Sequence, residues 1–576
     1  MKGAVTADGR LFYAMSYLTV KVEIEHGHVL AKGAESLPEK ASGLLAIFKS
    51  DALNRAAISP LQALESLQKH LHLDAAGAAE WMASVREARL KHRMAMLFVA
   101  ALFCWSAFEP LDAQTNAFNV LYAFTRGSGP PDYIGNFGVA PLGGLILSGG
   151  RFYGTTWLGG SAGNGAVFRL NDDGSGITNL HDFTASTISY SLGSYTNSDG
   201  TAPQGGVIIS GNTLYGTAEG GGVWGTGTVF RVNTDGSDFT NLNDFTSVRD
   251  LTDSDGAGPS GLVLSGNTLY GTTLYCGTND NGTVFRVNTD GSDFTNLHNF
   301  APGSEGVLPY PGNLILSGNT LYGATCGAVN GYAGTYGTVF SLKTDGSNFT
   351  NLYSFTNGSD GAGPYPALVL SSNTLYGTAI HGGSNGNGTV FSLNTNGSGF
   401  TNLHTFAATL GFNNNSIVNS DGAEPERGLV LSGLMIYGTT EEGGSSGYGT
   451  LFRMRNDGSE FATLYCFTNG SDGANPDGLL LSGNTLYGAA YEGGSGAAGT
   501  VFALTLALPA LGIAPAGNQV VISWPDSVPN FVLQTATDLS SGSWSNISNG
   551  INTVGTNYVF INTVAGQTAF FRLQTP

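Results

Sequence analysis

The sequence predicts an all-β chain, and three observations carry the prediction. Glycine supplies 86 of 576 residues while charged residues make up only 11%, a balance foreign to helical enzymes. Short apolar runs are punctuated by Gly, Asn and Asp clusters, the pattern of strands joined by tight turns. Finally, the tyrosine of "LYG" or a close variant recurs at Tyr153, Tyr215, Tyr270, Tyr322, Tyr376, Tyr437 and Tyr487, 50 to 62 residues apart. Seven units at that period, each readable as four strands ("GLVLSG", "NTLYGTT", "GTVFRVN", "TNLHNF"), predict a seven-bladed β-propeller.

The elements follow in chain order. Residues 1–88 predict a short α+β segment. "LTVKVEIEHGHVLAKG" alternates like a hairpin, and "SPLQALESLQKHLHL" opens with Ser59 in capping-box style before an apolar helical stripe. A start at Met82 or Met94 would leave most of this segment out of the protein. Residues 89–113 carry Arg89, Lys91, His92 and Arg93, then about fifteen mostly apolar residues, then a polar end, the layout of a signal peptide. The apolar core is shorter than a spanning helix requires, so no membrane span is expected in the mature chain.

Residues 114–506 hold the repeats. "SGN" and "TDGS" place Gly, Asn or Asp where hairpins demand positive φ. The seventh unit stops at "GTVFALTL" (499–506) without its fourth strand, whereas "NAFNVLYAFT" (116–125) matches the "FTNLYSFT" of a complete unit. The N-terminal strand is therefore predicted to pair into the last blade and close the ring, which removes an exposed edge. An open solenoid is the rival arrangement. Residues 509–576, with "NQVVISWP", "NFVLQTATDL" and "AFFRLQ", predict a small β-sandwich.

The repeat phrase "LYGTT…GG…GTVF…DGS…F" over residues 116–506 resembles the tandem GloVer repeats of secreted bacterial proteins. That resemblance implies a secreted or cell-surface protein and brings no reaction with it. "ISWP…FVLQTATDL…W…FFRL" resembles fibronectin-type-III-like modules, and residues 15–90 resemble small antitoxin-like proteins. The chain ends in "FFRLQTP", without an LPxTG-type sorting signal.

Charge narrows the partners. Of the 23 Lys and Arg residues 12 lie in residues 1–93, which leaves 11 basic against 32 acidic residues beyond. Such a surface repels phosphate backbones, so nucleic acid is not expected as a partner. The expected partner is a glycan or an extracellular protein, bound by a monomer.

All irregular length falls at one end of the blades, and Trp157, Tyr190, Tyr195, Trp224, His381 and Phe412 give that end aromatic surface. The alternative is that these rings pack beneath their own loops. His181, His298 and His404 share one column in the fourth strand and read as repeat structure. Glu219, Glu441, Glu442 and Glu492 occupy comparable loops, yet no spacing selects an acid–base pair. No cofactor is expected. Calcium would need Asp253 and Asp255, the one crossing with two carboxylates; the other Asp-Gly crossings read as Asx turns. Cys276 and Cys326 follow "LYG" in consecutive units and admit a disulfide in an oxidising compartment. The function expected is non-enzymatic binding, with a carbohydrate-active hydrolase or lyase and a calcium-dependent adhesin as the alternatives.

Overall fold

The computed structural model describes residues 22–25, 28–31 and, with short interruptions such as 127–136, 190–193, 247–254, 328–334 and 537–543, residues 116–574. Among the described residues all regular structure is β. Near the N-terminus Val22–Glu25 and His28–Ala31 pair as the expected hairpin. The expected helix after Ser59 and the signal segment lie outside the described residues.

Thr115–Leu508 forms one compact unit. Among its described residues are seven separate antiparallel sheets of four or five strands, spanning 139–182, 207–244, 257–299, 315–354, 362–405, 430–466 and 474–505, and none of these closes on itself. In each of the first six, four strands follow one another in space as in sequence; in the fifth, Ala362–Pro364 and Val369–Ser371 share the place of the first strand. The seventh draws three strands from the chain's later part and its outer one, Ala117–Thr125, from the N-terminus. The register explains the fit. Val120 and Tyr122 face Phe502 and Val501 across the same bulge that Asn241 and Asn243 make opposite Phe230 and Val229. The missing phrase is supplied residue for residue.

Alternation buries one set of side chains on each sheet, and seven hydrophobic clusters result, each shared by two sheets. Tyr153, Val167 and Phe183 of the first sheet pack on Leu214, Phe230 and Val232 of the second. Corresponding clusters join each later sheet to its successor. The last joins the seventh sheet to the first, through Phe124 and Val501 against Phe152 and Phe168. Backbones also approach closely there. A Cβ on Gly478 would lie 2.9 Å from Gly144 Cα, and one on Gly143, at φ +86°, would lie 2.2 Å from the Gly206 nitrogen, so neither position tolerates a side chain.

From Gly512 to Gln574 two further sheets share a core of Val520, Ile522, Trp524 and Leu533. Trp524 is buried, and Trp544 lies 4.3 Å from the Arg572 guanidinium.

Candidate functional site

Asp199 accepts the Thr184 N–H and shares a hydrogen bond with His181 Nε2 at 2.9 Å. Glu305, Asp360, Asp421 and Asp472 do the same for His298, Tyr353, His404 and Tyr465 and for the chain just beyond each. Asp255 accepts both Thr246 N–H and Thr246 Oγ1. Their main-chain carbonyls accept the buried threonine hydroxyl of "GTVF" in the following sheet. Each crossing acid thus ties two sheets together, its carboxylate already accepting two or more hydrogen bonds. Asp255 is such a tie; Asp253 lies outside the described residues.

The fourth-strand column completes the tie. His181 stacks on Phe239 of the next sheet at 3.5 Å, and His298, Tyr353 and His404 stack on Phe349, Phe400 and Phe461. These histidines are structural, as their column suggested.

The disulfide expectation is corrected. Cys276 and Cys326 are both buried thiols, not bridged. Cys326 packs in a cluster with Tyr365 and Ile380 of the fifth sheet. Burial, with Glu426 adding to it, pushes its thiol up to about 12, so it is an inert packing residue.

The expected aromatic surface is present in two places. The crossing after the first sheet forms a hairpin, Thr187–Ser189 with Ser194–Thr196, which lies on the loop of the second sheet through Ser194 Oγ donating to the Trp224 carbonyl at 3.2 Å. Tyr195 is 63% exposed and Trp224 39%, beside exposed Ile188 and Val223. A second hairpin, Gly411–Asn413 with Ser416–Val418, presents Phe412 at 71% exposure and is tied to the sixth sheet by Asn413 Nδ2 donating to the Ser446 carbonyl. Trp157 is exposed at the end of a strand of the first sheet. Tyr195 and Phe412 are thus largely open to solvent and Trp157 and Trp224 partly so; Tyr190 lies outside the described residues. His381 stands apart from them, its Nδ1 3.9 Å from Glu424 Oε1.

A third group was not legible beforehand. Asp477 of the seventh sheet, nearly buried, accepts from Arg427 Nη1 at 3.4 Å and from the Gly143 N–H of the first sheet at 2.7 Å. The Arg427 guanidinium lies over the Tyr365 ring of the fifth sheet, 5.4 Å from its centroid. Tyr491 of the seventh sheet donates to Glu441 Oε1 of the sixth at 2.7 Å, and Glu441 is hydrogen-bonded to Glu426. Arg427 acts electrostatically on Glu219 of the second sheet, Glu219 on Tyr275 of the third, and Glu426 on Cys326 of the fourth. Hydrogen bonds and the contact of Arg427 with Tyr365 thus link the first, fifth, sixth and seventh sheets.

The electrostatics are unequal. Burial, the Glu441 charge and their shared hydrogen bond hold the Glu426 carboxyl well above the usual range. Burial, with Glu442 and Glu441 adding to it, lifts Glu424 to about 7. Burial works against the charge on Arg427, but Tyr365, Asp477 and Glu426 more than offset it. At the register just after the second strand's "YG" motif, Leu274, Cys326 and Ile380 are buried and apolar, whereas Trp157, Glu219, Glu441 and Tyr491 take that place in the other units.

What these sheets define is a tandem-repeat β-protein in which one four-stranded unit recurs and neighbouring units interlock. Residues 108–325, 247–420 and 412–512 match the Gloeobacter/Verrucomicrobia repeat, and the chain belongs to that family. No curated protein matches it. Among solved structures, an oligogalacturonate lyase in complex with manganese is similar at 12% identity and TM-score 0.40, over 68% of this chain and 96% of that one. The GH74 enzyme of Niastella koreensis is similar at 16% identity and TM-score 0.36, over 76% and 65%. A chain of a nidogen/laminin complex is similar at 15% identity and TM-score 0.31, over 50% and 92%. No helix among the described residues is long and apolar enough to cross a membrane.

Proposed function

We propose that this chain is a secreted, seven-bladed β-propeller, closed by its N-terminal strand, that binds a glycan through the end of the blades bearing the long crossings. Closure is supported by the cluster joining the seventh sheet to the first and by Asp477 of the seventh sheet, which accepts the Gly143 N–H of the first. Secretion is supported by the sequence of residues 89–113. The C-terminal β-module serves as a spacer or docking domain.

The observation that carries the binding reading is the pairing of Tyr195 and Trp224 on a hairpin and loop that fasten one another, both rings open to solvent. Rigid aromatic faces among Ser and Asn suit the apolar faces of sugar rings. Glycan-array binding of the full chain, compared with Tyr195→Ser and Trp224→Ser, tests this. Loss of signal in both variants with an unchanged melting temperature supports it. An array silent for the parent chain overturns it in favour of a protein partner.

A second reading, a carbohydrate-active enzyme, is favoured by Glu424, a carboxyl titrating near neutrality beside His381. Release of reducing ends that is abolished in Glu424→Gln would establish it. The calcium-dependent adhesin loses support, because the crossing carboxylates that would serve as ligands, Asp255 included, already accept hydrogen bonds.

A further inference from the structure

We infer that the hairpin of Gly411–Asn413 with Ser416–Val418 is a second glycan-binding arm, built on the plan of the Tyr195 hairpin, and that the two arms together hold one long uncharged polysaccharide. The inference rests on the glycan reading of the Tyr195–Trp224 surface.

The two arms share one anchorage. Asn197, just after the first hairpin, donates through Nδ2 to the Thr184 and Gly200 carbonyls and accepts the Gly200 and Gly222 N–H groups at Oδ1, all at 2.7 to 2.9 Å. Asn419 does the same for the Ala407 and Gly422 carbonyls and the Gly422 and Gly444 N–H groups, at 2.6 to 3.1 Å. From the preceding sheet, Asn164 and Asn387 donate to the Thr184 and Ala407 carbonyls and to the Ser186 and Thr409 hydroxyls. Ser194 and Asn413 donate in turn to the carbonyls of Trp224 and Ser446, which hold the same place in their loops. Each arm is thus fastened to the sheet before it and to the sheet after it.

The fold does not need these arms. The tie made by a crossing acid spans four positions from Thr356 to Asp360 and from Thr468 to Asp472, but 15 from Thr184 to Asp199 and 14 from Ala407 to Asp421. The added residues carry apolar surface instead. In each arm an isoleucine and an aromatic ring stand directly opposite one another, Ile188 with Tyr195 and Phe412 with Ile417, and so share a face. Ile188, Tyr195, Val223, Trp224, Leu410 and Phe412 are six of the nine exposed large apolar side chains among the described residues of Thr115–Leu508, so exposure concentrates on the two arms and the loop beneath the first.

Chemistry selects the occupant. Residues 184–198 and 407–420 contain no charged side chain, although the chain beyond residue 93 holds 32 acidic residues against 11 basic ones. An acidic body repels polyanionic glycans and anionic lipid surfaces, and the arms offer no Lys or Arg to hold a phosphate headgroup. Ser, Thr and Asn stand between the apolar side chains and can hydrogen-bond sugar hydroxyls while the rings take the apolar faces. Two like arms on one compact unit favour a polymer over a short glycan, because the second contact forms at high effective concentration.

The test is calorimetric titration of the full chain with the hexasaccharides of xylan, mannan and amylose, together with gel retardation in the three polymers. Polygalacturonate and phosphatidylcholine vesicles serve as controls. At least one hexasaccharide is expected to bind at two sites in the parent chain and at one in Tyr195→Ser or Phe412→Ser, with melting temperatures unchanged because both side chains are exposed. The matching polymer is expected to bind about 100-fold more tightly than its hexasaccharide, a gain lost in either variant. One site in the parent, abolished by Tyr195→Ser and untouched by Phe412→Ser, leaves the glycan reading standing and overturns the second arm. Two sites without a gain for the polymer overturn the shared occupant. Retardation by polygalacturonate, or vesicle binding that Phe412→Ser abolishes, overturns the inference in favour of an anionic glycan or a lipid surface. A chain that binds none of the hexasaccharides fails the inference and the reading beneath it together.

Discussion

Phe118, near the start of the N-terminal strand, stacks on Tyr465 of the sixth sheet with ring centroids 3.9 Å apart and planes 6° from parallel. It stands where Phe239, Phe349, Phe400 and Phe461 stand in complete units, against the His or Tyr of the preceding sheet. The strand is thus locked both by its ladder and by a ring from another sheet.

Its energetic weight is measurable. Phe124 is fully buried between the seventh sheet and the first, so Phe124→Ala is expected to cost about 3–5 kcal/mol. Phe118→Ala, half-buried, is expected to cost about 2 kcal/mol. Urea unfolding gives both. Removing residues 116–125 bares the edge of Ala497–Thr505 and is expected to produce aggregation; a truncated chain that stays monomeric with its parent's midpoint would contradict the closure reading.

Asp472 tests the crossing ties. Its carboxylate accepts from the Tyr465 hydroxyl, from Thr468 N–H and Oγ1, and from Gly470 N–H. Asp472→Ala leaves these donors unpaired and is expected to cost about 2–3 kcal/mol. Neither calcium nor a chelator is expected to shift the melting temperature of the parent chain. A rise with calcium would show that the acids serve as ligands after all.

Arg427 and Asp477 are expected to be strongly coupled. Arg427→Gln strands a nearly buried carboxylate and is expected to cost about 3–5 kcal/mol. Adding Asp477→Asn is expected to restore more than half of that loss. Strictly additive effects in the double-mutant cycle would mean that the two groups do not interact.

Glu424 makes stability depend on pH in a stated direction. Its carboxyl titrates at about 7 in the folded chain, against an ordinary 4.5. Between those values the unfolded chain sheds the proton while the folded chain keeps it, so stability falls as pH rises through that window. Below 4.5 the group contributes no difference, and above 7 the loss is complete. Glu424→Gln is therefore expected to leave the melting temperature unchanged at pH 4 and raise it at pH 8, by an amount worth about 3 kcal/mol. Parallel melting curves across the whole range would remove this residue as the cause.

Much of the fold was legible because its determinants are local. In "TDGS" the aspartate or its Asn counterpart accepts the serine N–H and hydroxyl two residues on, as at Asp235 and Ser237, and the turn depends on nothing distant. The exposed Trp224 and Phe412 were also legible, since irregular insertions concentrate at one end of the strands. The bridge between Cys276 and Cys326 failed for a tertiary reason. Their matching places in successive units say nothing of which neighbouring sheet each thiol faces, and Cys326 faces the fifth.

By itself the sequence determined the repeat, its four strands and the terminus that provides the absent one, because period-two alternation and turn residues act within a few positions of themselves. Only the tertiary structure decided that Glu426, Arg427, Glu441, Asp477 and Tyr491 meet. They occupy repeat positions filled differently in each unit, so no periodicity marks them, and Arg427 reaches Asp477 across 50 residues of chain. Charges act through space, and it is the packing of sheet on sheet that sets those distances.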